Sequence, residues 1–189
     1  MLDRQHRRQH GHDHIGDQIE DNRAGKGLDI GRMLVAAGRK QARQSGKENP
    51  ADDRDPERAA ELLPKVAAGE HLLAFAHSEP NSRYDLPRVS TMATESDEGW
   101  VLDGQKAVVL HGDCADSLIV SARTGGRDDE REGITLFLVP GDAEGLKKRV
   151  YPTVDGMRGA DLEFDGVQVG HDAVLGEMGR ALDIVEGVV

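Results

Sequence analysis

From residue 71 to residue 169 the chain is a succession of short apolar runs, broken by turn signals at intervals of roughly ten residues. That spacing leaves little room for anything but an antiparallel barrel or sandwich. Residues 72–77 (LLAFAH) are apolar and run into a Glu79-Pro80-Asn81-Ser82 turn. Residues 88–95 alternate, with Val89, Thr91 and Ala93 on one side, as a half-buried strand requires. Asp97-Glu98-Gly99 turns the chain into Trp100-Val101-Leu102. Asp103-Gly104 predicts a two-residue hairpin with residues 105–111 as its second arm. Residues 117–122 (SLIVSA) and 134–139 (ITLFLV) predict two buried strands flanking a solvated polar loop. Residues 147–154 and 161–169 complete the set, with a turn at Asp165-Gly166. The expectation is a mainly-β, antiparallel, barrel-like domain over residues 71–176.

Helical signals flank it. Asp55-Pro56-Glu57 supplies an N-cap, a proline at the first helical position and an early acid. Ala59, Leu62, Leu63 and Val66 then share a face up to Gly69, so residues 56–70 read as the end of a helical segment. Pro64 predicts two short turns rather than one straight helix. Residues 177–189 read as the start of an amphipathic helix that is cut off.

Residues 1–55 are different in kind. They hold nine residues of the types I, L, V, F, M, W, Y and C, against 42 in the 134 that follow. Ordering a backbone costs about 1–2 kcal/mol per residue, and so little apolar surface cannot offset it. The expectation is a disordered polar head. Its His6, His10, His12 and His14 suggest weak, adventitious metal binding at most.

The net charge of −11 argues against nucleic acid or an anionic membrane as partner. A single cysteine, Cys114, excludes an internal disulfide, and it has no adjacent base or partner cysteine. No apolar run is long enough for a membrane span, and the basic N-terminus lacks the apolar stretch of a secretory signal. These readings point to a soluble, cytoplasmic protein.

Four blocks carry a resemblance. Phe75-Ala76-His77-Ser78-Glu79-Pro80-Asn81-Ser82-Arg83-Tyr84-Asp85 resembles the aromatic-x-x-Thr/Ser-Glu-Pro signature of the acyl-CoA dehydrogenase family. The segments at 64–80 (PKVAAGEHLLAFAHSEP), 99–112 (GWVLDGQKAVVLHG) and 155–169 (DGMRGADLEFDGVQV) are similar to further family blocks, in the right order. The resemblance covers residues 56–189, while the head matches nothing. It implies FAD as cofactor, an acyl-CoA thioester as substrate, α,β-dehydrogenation as the reaction, and an oligomer in an intact member.

By the same resemblance, Phe75, His77 and Ser78 line the flavin, with Ser78 at its pyrimidine side. Independently of it, a strand ending in Ser-Glu-Pro presents N–H groups and a hydroxyl suited to the polar edge of a flat heterocycle. Val108 and Leu110 stand where many members place Trp and Thr, so the flavin wall keeps its apolar character but loses a ring and a hydroxyl. Tyr84 stands where many members have a small serine near the thioester, which implies a differently shaped substrate entrance. Trp100 reads as a cap on the domain. Arg158 is expected to pair with a nearby acid such as Asp161.

No catalytic residue is assigned. The family's base is a glutamate of a C-terminal helical domain, and no acid here matches that position. On this reading the chain is a truncated fragment without turnover of its own, and its head is out of register with the rest of its gene. Two alternatives stand beside it: a non-catalytic β-module docking on a full-length partner, and a head that is itself a metal- or anion-binding tail.

Overall fold

The computed structural model describes residues 54–188. Residues 1–53 of the polar head, with its histidines, lie outside the described residues. The chain enters through helix α1 (Arg54–Ala67) and then forms β1 (Leu73–Ala76), β2 (Met92–Ser96), β3 (Gly99–Leu110) and β4 (Ser117–Arg123). β5 (Ile134–Pro140), β6 (Leu146–Pro152) and β7 (Arg158–Val169) follow, and a 3-10 turn leads into β8 (Val174–Leu175) and the short helix α2 (Leu182–Glu186).

The mainly-β, antiparallel expectation holds. The sheet runs β6-β7-β3-β2-β4-β5-β8, with β1 added parallel to β4. It has two ends, at β6 and β8, and does not close on itself as a barrel does. β4 meets β1 along residues 117–120 but meets β2 only at Arg123. The chain therefore leaves the sheet after Ala76 and rejoins it at Met92, and this excursion builds the candidate site.

Both faces of β4 and β5 are covered, which is why their sequences are almost continuously apolar. On one face Trp100, Leu102, Val109, Val120, Phe137 and Leu162 pack together, with Trp100 edge-on to Phe137 at 5.5 Å. On the other, Ile119, Ile134, Leu136 and Leu175 receive Ala59 of α1 and Leu182 and Val185 of α2. Trp100 is thus a core residue.

Four local expectations differ from the structure. Pro64 does not break α1, which is one helix of 14 residues. The proline forfeits the N–H bond to the Ala60 carbonyl, yet the helix carries on through it to Ala67. The helix then closes in a Schellman motif, with Glu70 N donating to Lys65 O and Gly69 N to Val66 O while Gly69 has φ +73°.

Asp103-Gly104 makes no hairpin. β3 runs 12 residues straight through it, paired with β2 on one side and β7 on the other. The actual hairpin is at Asp97-Glu98. Asp165-Gly166 likewise makes no turn, because it lies within β7 as the extra residue of a register shift opposite Asp103. There the Asp103 carboxylate accepts the Gly166 N–H at 2.8 Å.

Arg158 pairs with Asp113 rather than Asp161, its Nε lying 2.5 Å from Oδ2. Asp161 is already held by Arg149 and Tyr151.

Candidate functional site

The site begins where β1 ends. Successive side chains of β3 point to opposite faces, so Leu102, Gly104 and Lys106 share one. Leu102 and Lys106 are both fully buried, and a lysine in that place needs partners. Its Nζ lies 2.7 Å from Glu79 Oε1, 3.1 Å from Ser121 Oγ and 3.2 Å from the His77 carbonyl. Glu79 in turn accepts the Ser90 N–H at 2.7 Å and the Thr91 N–H at 3.0 Å. One buried ion pair thus ties the end of β1, the entry to β2 and the middle of β3.

The charges fit this packing. Burial pushes the Lys106 ammonium down to about 8, against the pull of the Glu79 carboxylate. Burial acts to raise Glu79, but the charge and hydrogen bond of Lys106 and the Thr91 N–H bring it below its ordinary value. Both are therefore ionised at neutral pH. His77 is neutral: burial, then the Lys106 charge, depress it to about 4.

The sequence-derived site residues separate into groups. Phe75 and His77 stack at 5.6 Å with rings 6° from parallel. His77 is buried, with Nδ1 2.9 Å from Ser121 Oγ, so its ring faces inward. Ser78 is exposed, and its hydroxyl makes no hydrogen bond among the described residues. Its carbonyl accepts the Ala107 N–H at 2.8 Å, which sets Ser78 beside the residue preceding Val108. Leu110 lies farther along β3, opposite Gly159. Tyr84 stands 99% exposed on the excursion loop.

Val108 occupies a strained place. It has φ +55°, where a β-branched residue is rare. Between Lys106↔Leu162 and Val109↔Ala160, Ala107 and Val108 together oppose the single residue Asp161, a β-bulge. The bulge leaves the Val108 side chain 60% exposed, and its N–H donates to Asp161 Oδ1 at 3.1 Å. Tyr151 donates its hydroxyl to the same oxygen at 2.7 Å. A cavity of about 450 Å³ opens alongside, lined by Pro80, Gln105, Ala107, Lys148 and Glu163 among others.

The Lys106–Glu79–Ser121 cluster and the Tyr151–Asp161 pair are absent from the sequence reading. Glu79 and Lys106 were visible as members of two separate blocks. A lysine at an interior-facing strand position was the available signal that they meet. Tyr151 carried no local signal, because its place depends on the pairing of β6 with β7.

Residues 74–167 match the family described as acyl-CoA dehydrogenase, middle domain. The chain is 35% identical over 133 residues to an isovaleryl-CoA dehydrogenase, mitochondrial, of Oryza sativa subsp. japonica, covering 69% of this chain and 32% of that one. Among solved structures, it matches an acyl-CoA dehydrogenase from Geobacillus kaustophilus at 29% identity and TM-score 0.65, over 69% of this chain and 36% of that one. It matches butyryl-CoA dehydrogenase from Megasphaera elsdenii at 28% identity and TM-score 0.63, over 70% and 36%. The chain spans about a third of the length of the curated relatives it matches.

Proposed function

Because residues 74–167 place the chain in the acyl-CoA dehydrogenase family, we propose that it forms the flavin-facing β-domain of an FAD-dependent enzyme dehydrogenating an acyl-CoA thioester. The observation that carries the reading is the hydrogen-bonded junction of Ser78 with Ala107. It joins two blocks distant in sequence into one surface with a polar edge and an apolar wall.

That surface fits a flat heterocycle in kind. The Ser78 hydroxyl is exposed and uncommitted among the described residues, while Val108 and Leu110 offer exposed apolar side chains. Phe75 supports the junction through its stack on His77. His77, neutral and with Nδ1 turned towards Ser121, supports the junction from its buried side. When bound, FAD supplies the hydride acceptor for β-carbon oxidation. The chain's own residues hold and orient the ring: Ser78 at the polar edge, Val108 and Leu110 at the wall, and the Lys106–Glu79 pair keeping both segments in register. Tyr84, fully exposed on the loop between β1 and β2, shapes the acyl-CoA entrance.

A second reading, a β-module that docks on a full-length partner, draws on the exposed apolar side chains at Leu72, Tyr84, Val108, Leu110 and Val154. Among the described residues no helix is long and apolar enough to cross a membrane.

The test is the visible spectrum of the purified chain after addition of FAD and removal of the excess by gel filtration. A retained flavin band supports the cofactor reading. A colourless protein that co-purifies with a full-length dehydrogenase subunit replaces it with the docking reading.

A further inference from the structure

The wall beside Val108 contains a residue that no comparison assigns. Tyr151 of β6 pairs with Gly159 of β7, and Gly159 pairs on its other side with Leu110 of β3. Residues directly opposite each other share a sheet face, so Leu110, Gly159 and Tyr151 form one row across three strands. Gly159 contributes no side chain to that row, and the Tyr151 ring occupies the space. A Cβ built at Gly159 would lie 3.0 Å from Tyr151 Cε2 and 3.5 Å from its Cζ. The ring therefore lies over the glycine, on the side towards Leu110.

Its hydroxyl is anchored. It donates to Asp161 Oδ1 at 2.7 Å, the oxygen that also accepts the Val108 N–H at 3.1 Å. Arg149 pairs with the other carboxylate oxygen and holds the group in place. One carboxylate thus fixes both the strained Val108 bulge and the tyrosine ring.

We propose that Tyr151 is a flavin-binding residue of this chain, supplying the wall with the aromatic ring that positions 108 and 110 lack, its hydroxyl serving as the anchor on Asp161. This inference rests on the cofactor reading above. The ring stands on the face that presents Leu110 and beside the bulge that presents Val108. It adds aromatic surface, for offset stacking or edge contact, to a wall otherwise made of two aliphatic side chains.

The experiment is titration of the full 189-residue chain with FAD, reading affinity and bound-flavin fluorescence together, with a thermal melt on each variant. A tyrosine in contact with a flavin quenches its emission by electron transfer, whereas phenylalanine cannot. Tyr151→Phe should keep affinity within about threefold of the parent and brighten the bound flavin, while Tyr151→Leu should weaken FAD about tenfold. If the leucine variant does not fold, the near-isosteric phenylalanine variant decides alone through emission. Unchanged emission and affinity in folded variants overturn the role of Tyr151 and leave the cofactor reading intact. A parent chain that binds no FAD overturns both.

Discussion

Lys106 and Glu79 meet at 2.7 Å inside the protein, with side chains 0% and 6% exposed. They lie on different elements, and the pair is what makes the Ser-Glu-Pro turn and the Gln-Lys strand one structure. The attraction of such a pair roughly offsets the cost of burying it, but removing one member leaves the other charge unpaired.

Lys106→Met should therefore destabilise the chain by about 3–5 kcal/mol. Lys106→Met with Glu79→Gln should lose less than the sum of the two single losses, because the strained charge disappears. Urea denaturation of the four proteins measures both. A Lys106→Met variant as stable as the parent would show that the pair is not closed in solution.

His77 makes stability depend on pH. Its folded value of about 4 lies below the ordinary 6.5, so between the two the unfolded chain takes up a proton that the folded chain refuses. The contribution is complete above pH 6.5 and is lost as pH falls towards 4. Its full size is about 3 kcal/mol. Glu79, also depressed, adds loss in the same direction at the acid end. His77→Gln should flatten the stability curve between pH 6.5 and 4.5, as read by urea midpoints. Parallel curves for parent and variant would mean that the imidazole is charged or open to water.

Two glycines of the β3–β7 ladder should respond differently to alanine. At Gly104, with φ +149°, a Cβ would sit 2.6 Å from Thr91 Cα, a backbone atom that cannot step aside. At Gly166, with φ +64°, nothing lies within 4 Å. Gly104→Ala should cost about 3 kcal/mol or more, and Gly166→Ala about 1–2 kcal/mol from backbone strain alone. Thermal melts give the comparison. Equal losses would mean that β3 and the Thr91 segment do not approach as closely as described.

The bulge at Val108 sets stability against function. A β-branched residue at φ +55° stores about 1–3 kcal/mol, which Val108→Asn should partly release. The variant should melt higher than the parent and retain less FAD, because the exposed apolar side chain is gone. A variant that melts higher with undiminished FAD retention would remove Val108 from the wall.

Alternation is local and was legible only in part: Val89, Thr91 and Ala93 are all buried, but β2 begins at Met92, so Val89 and Thr91 precede the strand, and Val89 and Ala93 pack into different core clusters. The continuous runs of β4 and β5 were legible, since burial on both faces leaves no room for polar alternation. The Asp103-Gly104 signal misled for an equally local reason. A dipeptide that tolerates unusual φ serves a bulge or a close strand crossing as readily as a hairpin turn, and only pairing with both β2 and β7 selects between them. Ser78 and Val108 were found through their blocks, but that Ala107 bonds Ser78 was not.

By itself, then, the order of residues determined the strand periodicity, the helix stop at Gly69 and the family blocks, each a matter of near neighbours along the chain. Tertiary structure alone decided which ionisable groups are buried and what they meet. Lys106 reaches partners 27 and 15 residues away, and Tyr151 lies over Gly159 and beside Leu110 only through the register of three strands. The cause is the reach of the forces involved. Turn and strand preferences act through adjacent dihedrals, whereas desolvation and ion pairing depend on which surfaces the completed sheet brings together and shuts off from water.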